Sequence, residues 1–147
     1  MAIIRKMTID DVEGVMAVEE ASFAVPWSAD TFHKEIDDNP YAHYYVVEKE
    51  GRIIGYCGLW LIIDEAHITN IAIHPEQRGN KYGERLFRHT CKEAIEHGAI
   101  QLSLEVSVSN TAAQHMYRKF GMVPGGIRKR YYTDNGEDAL VMWVGLK

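Results

Sequence analysis

The segment from Ile68 to Leu86 constrains the fold of this chain more than any other. It begins with apolar residues typical of a strand, and His74 and Pro75 then lead into a basic turn that contains glycines. From Gly83 onward, apolar residues recur at steps of three and four, which predicts a helix that ends near residue 98. The chain therefore passes from a strand through a glycine-containing turn into a helix.

This order of elements favours an anion-binding site at the start of the helix. The first N–H groups of a helix have no partner within it, and the helix dipole adds positive potential there, so a phosphate is a natural ligand. Arg78, Lys81 and Arg85 add positive charge, while Gly79 and Gly83 allow a ligand to approach the backbone closely. An ordinary connection with solvated basic residues explains the same pattern equally well, and other residues must decide.

The composition and length are those of one globular domain, which we expect to span residues 1–147. Hydrophobic residues make up 46% of the chain and charged residues 25%, within the usual range for a soluble protein with a single core. The longest apolar run, around Leu59 to Ile63, is too short to span a membrane, and the first residues do not resemble a signal peptide. We therefore expect a cytoplasmic protein without a membrane partner.

The net charge and the spacing of the cysteines and histidines limit which partners and metals the chain is expected to bind. The formal net charge of −5 argues against direct binding of nucleic acid and suits a basic peptide. Cys57 and Cys91 are expected to be free thiols, because no paired spacing is present. The seven histidines lack the spacing of metal ligands, so no metal is expected.

Hydrophobic patterning along the chain predicts an α+β order of elements around one mostly antiparallel sheet. The predicted strands are 2–7, 41–48, 52–63, 68–73, 100–106, 122–132 and 138–146, with 133–137 joining the last two. Helices are predicted after Thr8, after Ser28, from Gly83 and after Asn110. This order is unusual for a Rossmann domain, and the turn lacks the Lys-Ser/Thr of a P-loop hydrolase.

Trp27 admits two interpretations of similar weight. It lies just before the predicted cap Ser28 and has the spacing of a hydrophobic staple with Phe32. Alternatively, it forms an aromatic wall beside a substrate groove.

Glu105, Tyr117, Tyr131 and Tyr132 also have ordinary structural explanations. Considered alone, Glu105 is more simply a solvent-facing strand residue, and Tyr117 a core aromatic with a satisfied hydroxyl. Tyr131 and Tyr132 are either strand aromatics or a cover for a peptide groove.

Over nearly its whole length, the chain resembles the GNAT superfamily of N-acetyltransferases. The resemblance implies the GNAT fold, a mixed and mostly antiparallel sheet flanked by helices, with acetyl-CoA as the cosubstrate. In that family, the segment that matches Gln77 to Gly83 binds the pyrophosphate through backbone N–H groups. This chain has Lys81 where the family usually has glycine; a lysine costs little there if its φ is ordinary, and it could add a phosphate contact.

A narrower resemblance is to bacterial ribosomal-protein-alanine N-acetyltransferases, which acetylate the N-terminal alanine of small-subunit ribosomal protein eighteen. It implies the N-terminal peptide of a ribosomal protein as the partner. It rests on fragments in the same order: Pro26-Trp27-Ser28 after Glu19 and Phe23, Leu104-Glu105-Val106 with Ser109-Asn110, Tyr117, and Arg130-Tyr131-Tyr132 followed by Glu137-Asp138-Ala139.

The resemblance implies a role for each candidate residue. Glu105 is implied as the general base, directly or through water, and Tyr117 as the acid that protonates the coenzyme A sulfur. Trp27, Tyr131 and Tyr132 are implied to contact the substrate. The implied cofactor-binding residues are Ile71, Ala72, Ile73, Arg78, Gly79, Asn80, Lys81, Tyr82, Gly83, Glu84 and Asn110.

The acceptor amine is the least constrained part of this interpretation. An α-amine, with a reference pKa near ~7.8 against ~10.4 for lysine, is about 3.5 kcal/mol easier to deprotonate at neutral pH. Acidic residues near a groove could attract a basic N-terminal tail, or could simply be solvated: Glu19, Glu20, Asp134, Glu137 and Asp138. A GNAT enzyme for an internal lysine or a small molecule, and a non-catalytic acetyl-CoA-binding module, remain alternatives.

Overall fold

The computed structural model describes residues 1–132 and 136–146, and it contains one seven-stranded sheet with four α-helices. The strands are β1 (Ala2–Lys6), β2 (Ala42–Lys49), β3 (Arg52–Ile62), β4 (Glu65–Ile73), β5 (Gln101–Ser107), β6 (Val123–Arg128) and β7 (Ala139–Gly145). The helices are α1 (Val12–Ser22), α2 (Ala29–Asp38), α3 (Tyr82–Glu96) and α4 (Thr111–Lys119). The predicted order of elements is confirmed.

The sheet is mixed, and its spatial order is β1-β2-β3-β4-β5-β7-β6. Every neighbouring pair is antiparallel except β4 and β5, which are parallel. Of the predicted connection between the last two strands, Thr133, Asp134 and Asn135 lie outside the described residues.

Both faces of the sheet are buried, because alternate residues of the central strands point into two separate cores. Tyr44 and Val46 of β2 pack with residues of α1 and α2. Tyr45 and Val47, which alternate with them, pack with residues of α3 and α4. One pair of helices therefore covers each face.

Several strand boundaries differ from the prediction, and β4 begins at Glu65 rather than at residue 68. Ile100 is 59% exposed and precedes β5, so it does not belong to the buried face of that strand. The strand predicted for 122–132 ends at Arg128, because Arg130 adopts a left-handed φ of 51° and its N–H donates to the carboxylate of Asp138. Tyr131 and Tyr132 therefore lie on a loop and are not strand residues.

The two parallel strands separate soon after they meet. β4 and β5 pair only at Glu65 with Gln101, Ala66 with Leu102, and His67 with Ser103. Beyond His67, the described part of β4 pairs only with β3, and the register skips Thr69, which marks a bulge. The divergence leaves an opening in the middle of the sheet.

Candidate active site

A cavity of about 710 Å³ lies where β4 and β5 diverge. Its walls come from the α1–α2 connection, the two strands, the start of α4 and the segment before β7. The expected site residues on these walls are Trp27, Ile71, Glu105, Asn110, Tyr117, Tyr131 and Tyr132. The structure therefore brings both expected catalytic residues and all three expected substrate-contacting residues into one space.

Glu105 projects from β5 into this cavity, and cationic or potentially cationic groups hold both of its oxygens. His67 Nε2 lies 3.1 Å from Oε1, and Arg128 Nε lies 3.2 Å from Oε2. His67 is itself oriented by Ser103, whose hydroxyl oxygen lies 3.1 Å from Nδ1. The Glu105 side chain is only 8% exposed, so the sequence-based alternative of a solvated strand residue is wrong.

The environment of Glu105 keeps its carboxylate ionised. Burial alone would raise the pKa of Glu105, but the hydrogen bond from His67 and the charges of His67 and Arg128 together hold that pKa below its usual range. A carboxylate with a lowered pKa is available to accept a proton at neutral pH, although it is a weak base. Such a base suits an acceptor that gives up its proton readily, as an α-ammonium does.

His67 and Arg128 were not identified from the sequence. Glu105 and Ser103 share one face of β5, and the pairing of Ser103 with His67 brings the imidazole to that face. Arg128 reaches Glu105 from β6, across the intervening strand β7. The first contact would have followed from the β4–β5 register, but the second depends on the order of the strands.

Tyr117 lies at the boundary between the hydrophobic core and the cavity. It lies on α4, is 5% exposed, and packs on Phe87 with ring centroids 5.2 Å apart. Burial raises the pKa of Tyr117, which keeps its hydroxyl protonated at neutral pH. The residue is thus a core aromatic that also lines the cavity.

The position of Trp27 is compatible with both of the interpretations that the sequence left open. Its ring packs on Phe32 with centroids 5.4 Å apart, as a hydrophobic staple requires, and Ser28 caps α2 by accepting from the backbone N–H of Thr31. Trp27 also lines the cavity. The staple therefore fixes the position of an aromatic wall.

Tyr131 and Tyr132 form another part of the cavity wall. Their rings make an edge-to-face contact with centroids 5.1 Å apart. The Tyr131 hydroxyl interacts with Glu105, and burial followed by that negative charge raises the pKa of Tyr131. The neutral Tyr131 hydroxyl therefore adds a hydrogen-bond donor beside Glu105.

The basic turn leads into α3 at the end of β4. The first hydrogen bond within α3 runs from Arg85 N–H to the Lys81 carbonyl at 3.1 Å, and no side chain caps the helix. The N–H groups of Tyr82, Gly83 and Glu84 thus lie where a phosphate would find donors. By contrast, α2 and α4 are capped by Ser28 and Asn110.

The turn is not part of the cavity wall, but α4 connects the two regions. Lys119 Nζ at one end of α4 contacts Glu84 Oε1 at 3.0 Å. At the other end, Asn110 and Ala113 line the cavity. A ligand could therefore extend along α4 from the start of α3 to the cavity.

Among the other expected cofactor-binding residues, some have side chains already engaged in the protein. Arg78 Nε donates to the Ile73 carbonyl at 3.0 Å, and Asn80 Nδ2 donates to the Gln77 carbonyl at 3.1 Å. Asn110 Oδ1 accepts from Ala113 N–H at 3.1 Å, which leaves its amide NH₂ to face a ligand. The side chains of Ala72 and Ile73 are buried, so only their backbone is suited to contact a cofactor.

Lys81 does not have the ordinary φ at which a lysine would cost little in this turn. Lys81 has φ 63° and ψ 18°, in the left-handed region, directly before the first residue of α3. The turn needs this conformation to enter the helix, and a non-glycine residue there costs roughly 1–2 kcal/mol. This explains why glycine suits the position.

Replacing Lys81 by glycine is expected to stabilise the protein by about 0.5–1 kcal/mol. Relief of the left-handed strain exceeds the added flexibility of the unfolded chain. Urea denaturation of the protein without ligand would measure the change in the free energy of unfolding. A destabilised Lys81→Gly protein would contradict this interpretation of the turn.

Within 1–132 and 136–146, no group of three His, Cys, Asp or Glu side chains is arranged to hold a metal ion. No helix in those ranges is long and apolar enough to span a membrane.

Known proteins resemble this chain over nearly its full length. A Bacillus subtilis (strain 168) protein provisionally named a ribosomal protein bS18-alanine N-acetyltransferase is 57% identical over 97% of this chain and 95% of that protein. The Escherichia coli (strain K12) ribosomal protein bS18-alanine N-acetyltransferase is 31% identical over 97% of this chain and 96% of that protein.

The structural comparison agrees with the sequence comparison. The crystal structure of the Escherichia coli ribosomal-protein-S18-alanine N-acetyltransferase matches with a TM-score of 0.92 and 29% identity, covering 100% of this chain and 95% of that one. The model of the acetyltransferase (GNAT) family matches residues 12–122, which span the cavity's strands and both helices α3 and α4. The chain belongs to the GNAT family of acetyltransferases.

Proposed function

We propose that this chain forms a single catalytic domain that transfers the acetyl group of acetyl-CoA to the N-terminal alanine of ribosomal protein bS18. The observation that carries the proposal is the meeting of an ionised carboxylate, Glu105, and a buried tyrosine hydroxyl, Tyr117, in one aromatic-walled cavity. The names of two relatives, 57% and 31% identical, support the choice of acceptor.

Acetyl-CoA supplies an activated acetyl thioester. Glu105 is proposed to accept the proton that the α-ammonium must lose before its nitrogen can attack the acetyl carbonyl carbon. As the new N–C bond forms and the C–S bond breaks, the electron pair of the broken bond goes to sulfur. Tyr117, which lines the cavity and whose raised pKa keeps its hydroxyl protonated at neutral pH, is proposed to donate that proton to the sulfur.

The cofactor is proposed to lie between the turn and the cavity. The backbone N–H groups from Gly79 to Glu84, with the positive charge of Arg78 and Lys81, would hold the pyrophosphate. The unpaired side of β4 from Ile71 to Ile73 would hold the acetyl and pantetheine portion, because it faces the opening rather than another strand.

The acceptor peptide is proposed to enter between Trp27 and the Tyr131-Tyr132 pair. Glu137 lines the same cavity and accepts from the Ser107 hydroxyl at 2.8 Å. A carboxylate there favours a basic peptide that follows the N-terminal alanine.

Unacetylated ribosomal protein bS18 incubated with this protein and acetyl-CoA is expected to gain one acetyl group, on the α-amine of its N-terminal alanine. Mass spectrometry of the intact protein and of its N-terminal peptide would locate the modification. The same protein with its α-amine already blocked is the matched control and should remain unchanged. Acetylation only at lysine side chains, or none, would contradict the proposal.

A further inference from the structure

Glu19 is a buried carboxylate to which the proposed acetyl-transfer chemistry assigns no role. It lies near the end of α1, is 1% exposed, and forms part of the cavity wall. Its Oε2 accepts from the backbone N–H of Trp27 at 2.8 Å, and its Oε1 accepts from the hydroxyl of Tyr56. Both donors are neutral, so they solvate the carboxylate without cancelling its charge.

The carboxylates of Glu19 and Glu105 differ in whether a cationic side chain is paired with them. Glu105 is paired with His67 and Arg128, whereas none of the cationic side chains in the described ranges forms an ion pair with Glu19. Burial raises the pKa of Glu19 above its usual range, because its two hydrogen bonds from neutral donors offset only part of the cost of burying the charge. A buried anion of this kind gains stability when a cation enters the adjacent space.

Glu19 also lies close to the part of β4 that faces the opening. Tyr56 of β3 is paired with Ala72 of β4, and the Asn70 side chain hydrogen-bonds the Tyr56 oxygen. Asn70 and Glu19 line the same cavity. The negative charge is therefore located behind the strand segment along which the acetyl group is proposed to bind.

We infer that Glu19 supplies the negative charge that draws the acceptor's α-ammonium into the cavity, before Glu105 receives the proton. This inference rests on the proposed function, because it assumes an α-amine acceptor. It divides the work between two carboxylates: the unpaired charge of Glu19 selects a cationic N-terminus, and the paired Glu105 takes part in proton transfer. Because Glu19 is nearly inaccessible, its field acts across the cavity wall or through one water molecule.

The test compares two peptides that differ only in charge at the first residue. One begins with alanine, and the other begins with lactic acid, which places a neutral hydroxyl where the amine stands. Their dissociation constants are measured by calorimetry with coenzyme A bound, so that no turnover occurs, at pH 6.5, where an α-amine is mostly protonated. The wild-type protein is expected to bind the alanine peptide about tenfold or more tightly than the lactyl peptide.

Glu19→Gln should abolish most of that preference while the lactyl peptide binds as it does to the wild type. A purely structural role for Glu19, in which it only fixes the Trp27 wall, would weaken both peptides equally and leave the preference intact. That outcome would overturn the inference. Tyr56→Phe keeps the charge of Glu19 while removing one of its donors, and is expected to retain the preference.

A second variant keeps the inference open to refutation even if Glu19→Gln does not fold. Glu105→Gln is expected to keep the preference for the ammonium peptide, because the charge of Glu105 is already paired. Loss of the preference in Glu105→Gln would assign ammonium binding to that residue and overturn the inference. If the wild-type protein acetylates an alanine peptide but binds both peptides equally, the inference fails alone; if it does not act on that peptide, the proposed function fails with it.

Discussion

Replacing Glu105 by glutamine is expected to slow acetyl transfer by about a hundredfold or more while leaving the affinity for acetyl-CoA nearly unchanged. The substitution preserves the shape of the side chain but removes its ability to accept a proton. Steady-state kcat with saturating peptide measures the first quantity, and calorimetric titration with acetyl-CoA measures the second.

Glu65→Gln is the matched control for this experiment. Glu65 is exposed at the start of β4, on the paired part of β4 and β5 and away from the cavity lining. Its variant should retain the wild-type rate. Unchanged turnover in Glu105→Gln would remove Glu105 as the base.

Tyr117→Phe is expected to slow product formation by about tenfold to a hundredfold at a similar acetyl-CoA affinity. The departing sulfur then lacks its proton donor, while the ring still packs on Phe87. Tyr41→Phe, at an exposed tyrosine that does not line the cavity, is the control for loss of a hydroxyl. A wild-type rate in Tyr117→Phe would leave the residue as a core aromatic only.

The pH dependence of turnover should follow the ionisation of the substrate's α-amine rather than that of the Glu105 carboxylate. Because the pKa of Glu105 is lowered, its carboxylate stays ionised as the pH falls from 8 toward 6. The site is proposed to bind the α-ammonium and to pass its proton to Glu105, and the α-amine has a reference pKa near ~7.8, so kcat/KM should be nearly level below that pKa and should fall as the pH rises through about 8. A peptide whose α-amine has a lower pKa should shift this limb to lower pH by the same amount. If the limb did not move with the amine, an enzyme group would control it.

The elements that could be predicted from sequence are those with local signals. The strand, turn and α3 follow from hydrophobic periodicity, and the caps Ser28 and Asn110 lie at the predicted positions. The end of β6 at Arg128 and the left-handed Lys81 could not be predicted, because both depend on how the chain reverses within the folded protein.

The site shows the same division between local and long-range information. Residue patterns alone left Glu105 and Tyr117 with ordinary structural interpretations, and family resemblance was needed to favour catalytic ones. His67 and Arg128 reach Glu105 through the pairing of β4 with β5 and through the strand order β5-β7-β6. Glu19 belongs to one of the fragments that carry the family resemblance and is one of several acidic residues, but its burial could not be predicted, since it depends on contacts with Tyr56 and Trp27.

Coenzyme A release from acetyl-CoA with three matched peptides tests the central claim most directly. The first peptide has the N-terminal sequence of ribosomal protein bS18, beginning with alanine; the second is the same peptide with its α-amine blocked; the third is blocked and contains an internal lysine. The account predicts turnover with the first peptide only. Turnover only with the lysine peptide, or none with any peptide although acetyl-CoA binds, would contradict it.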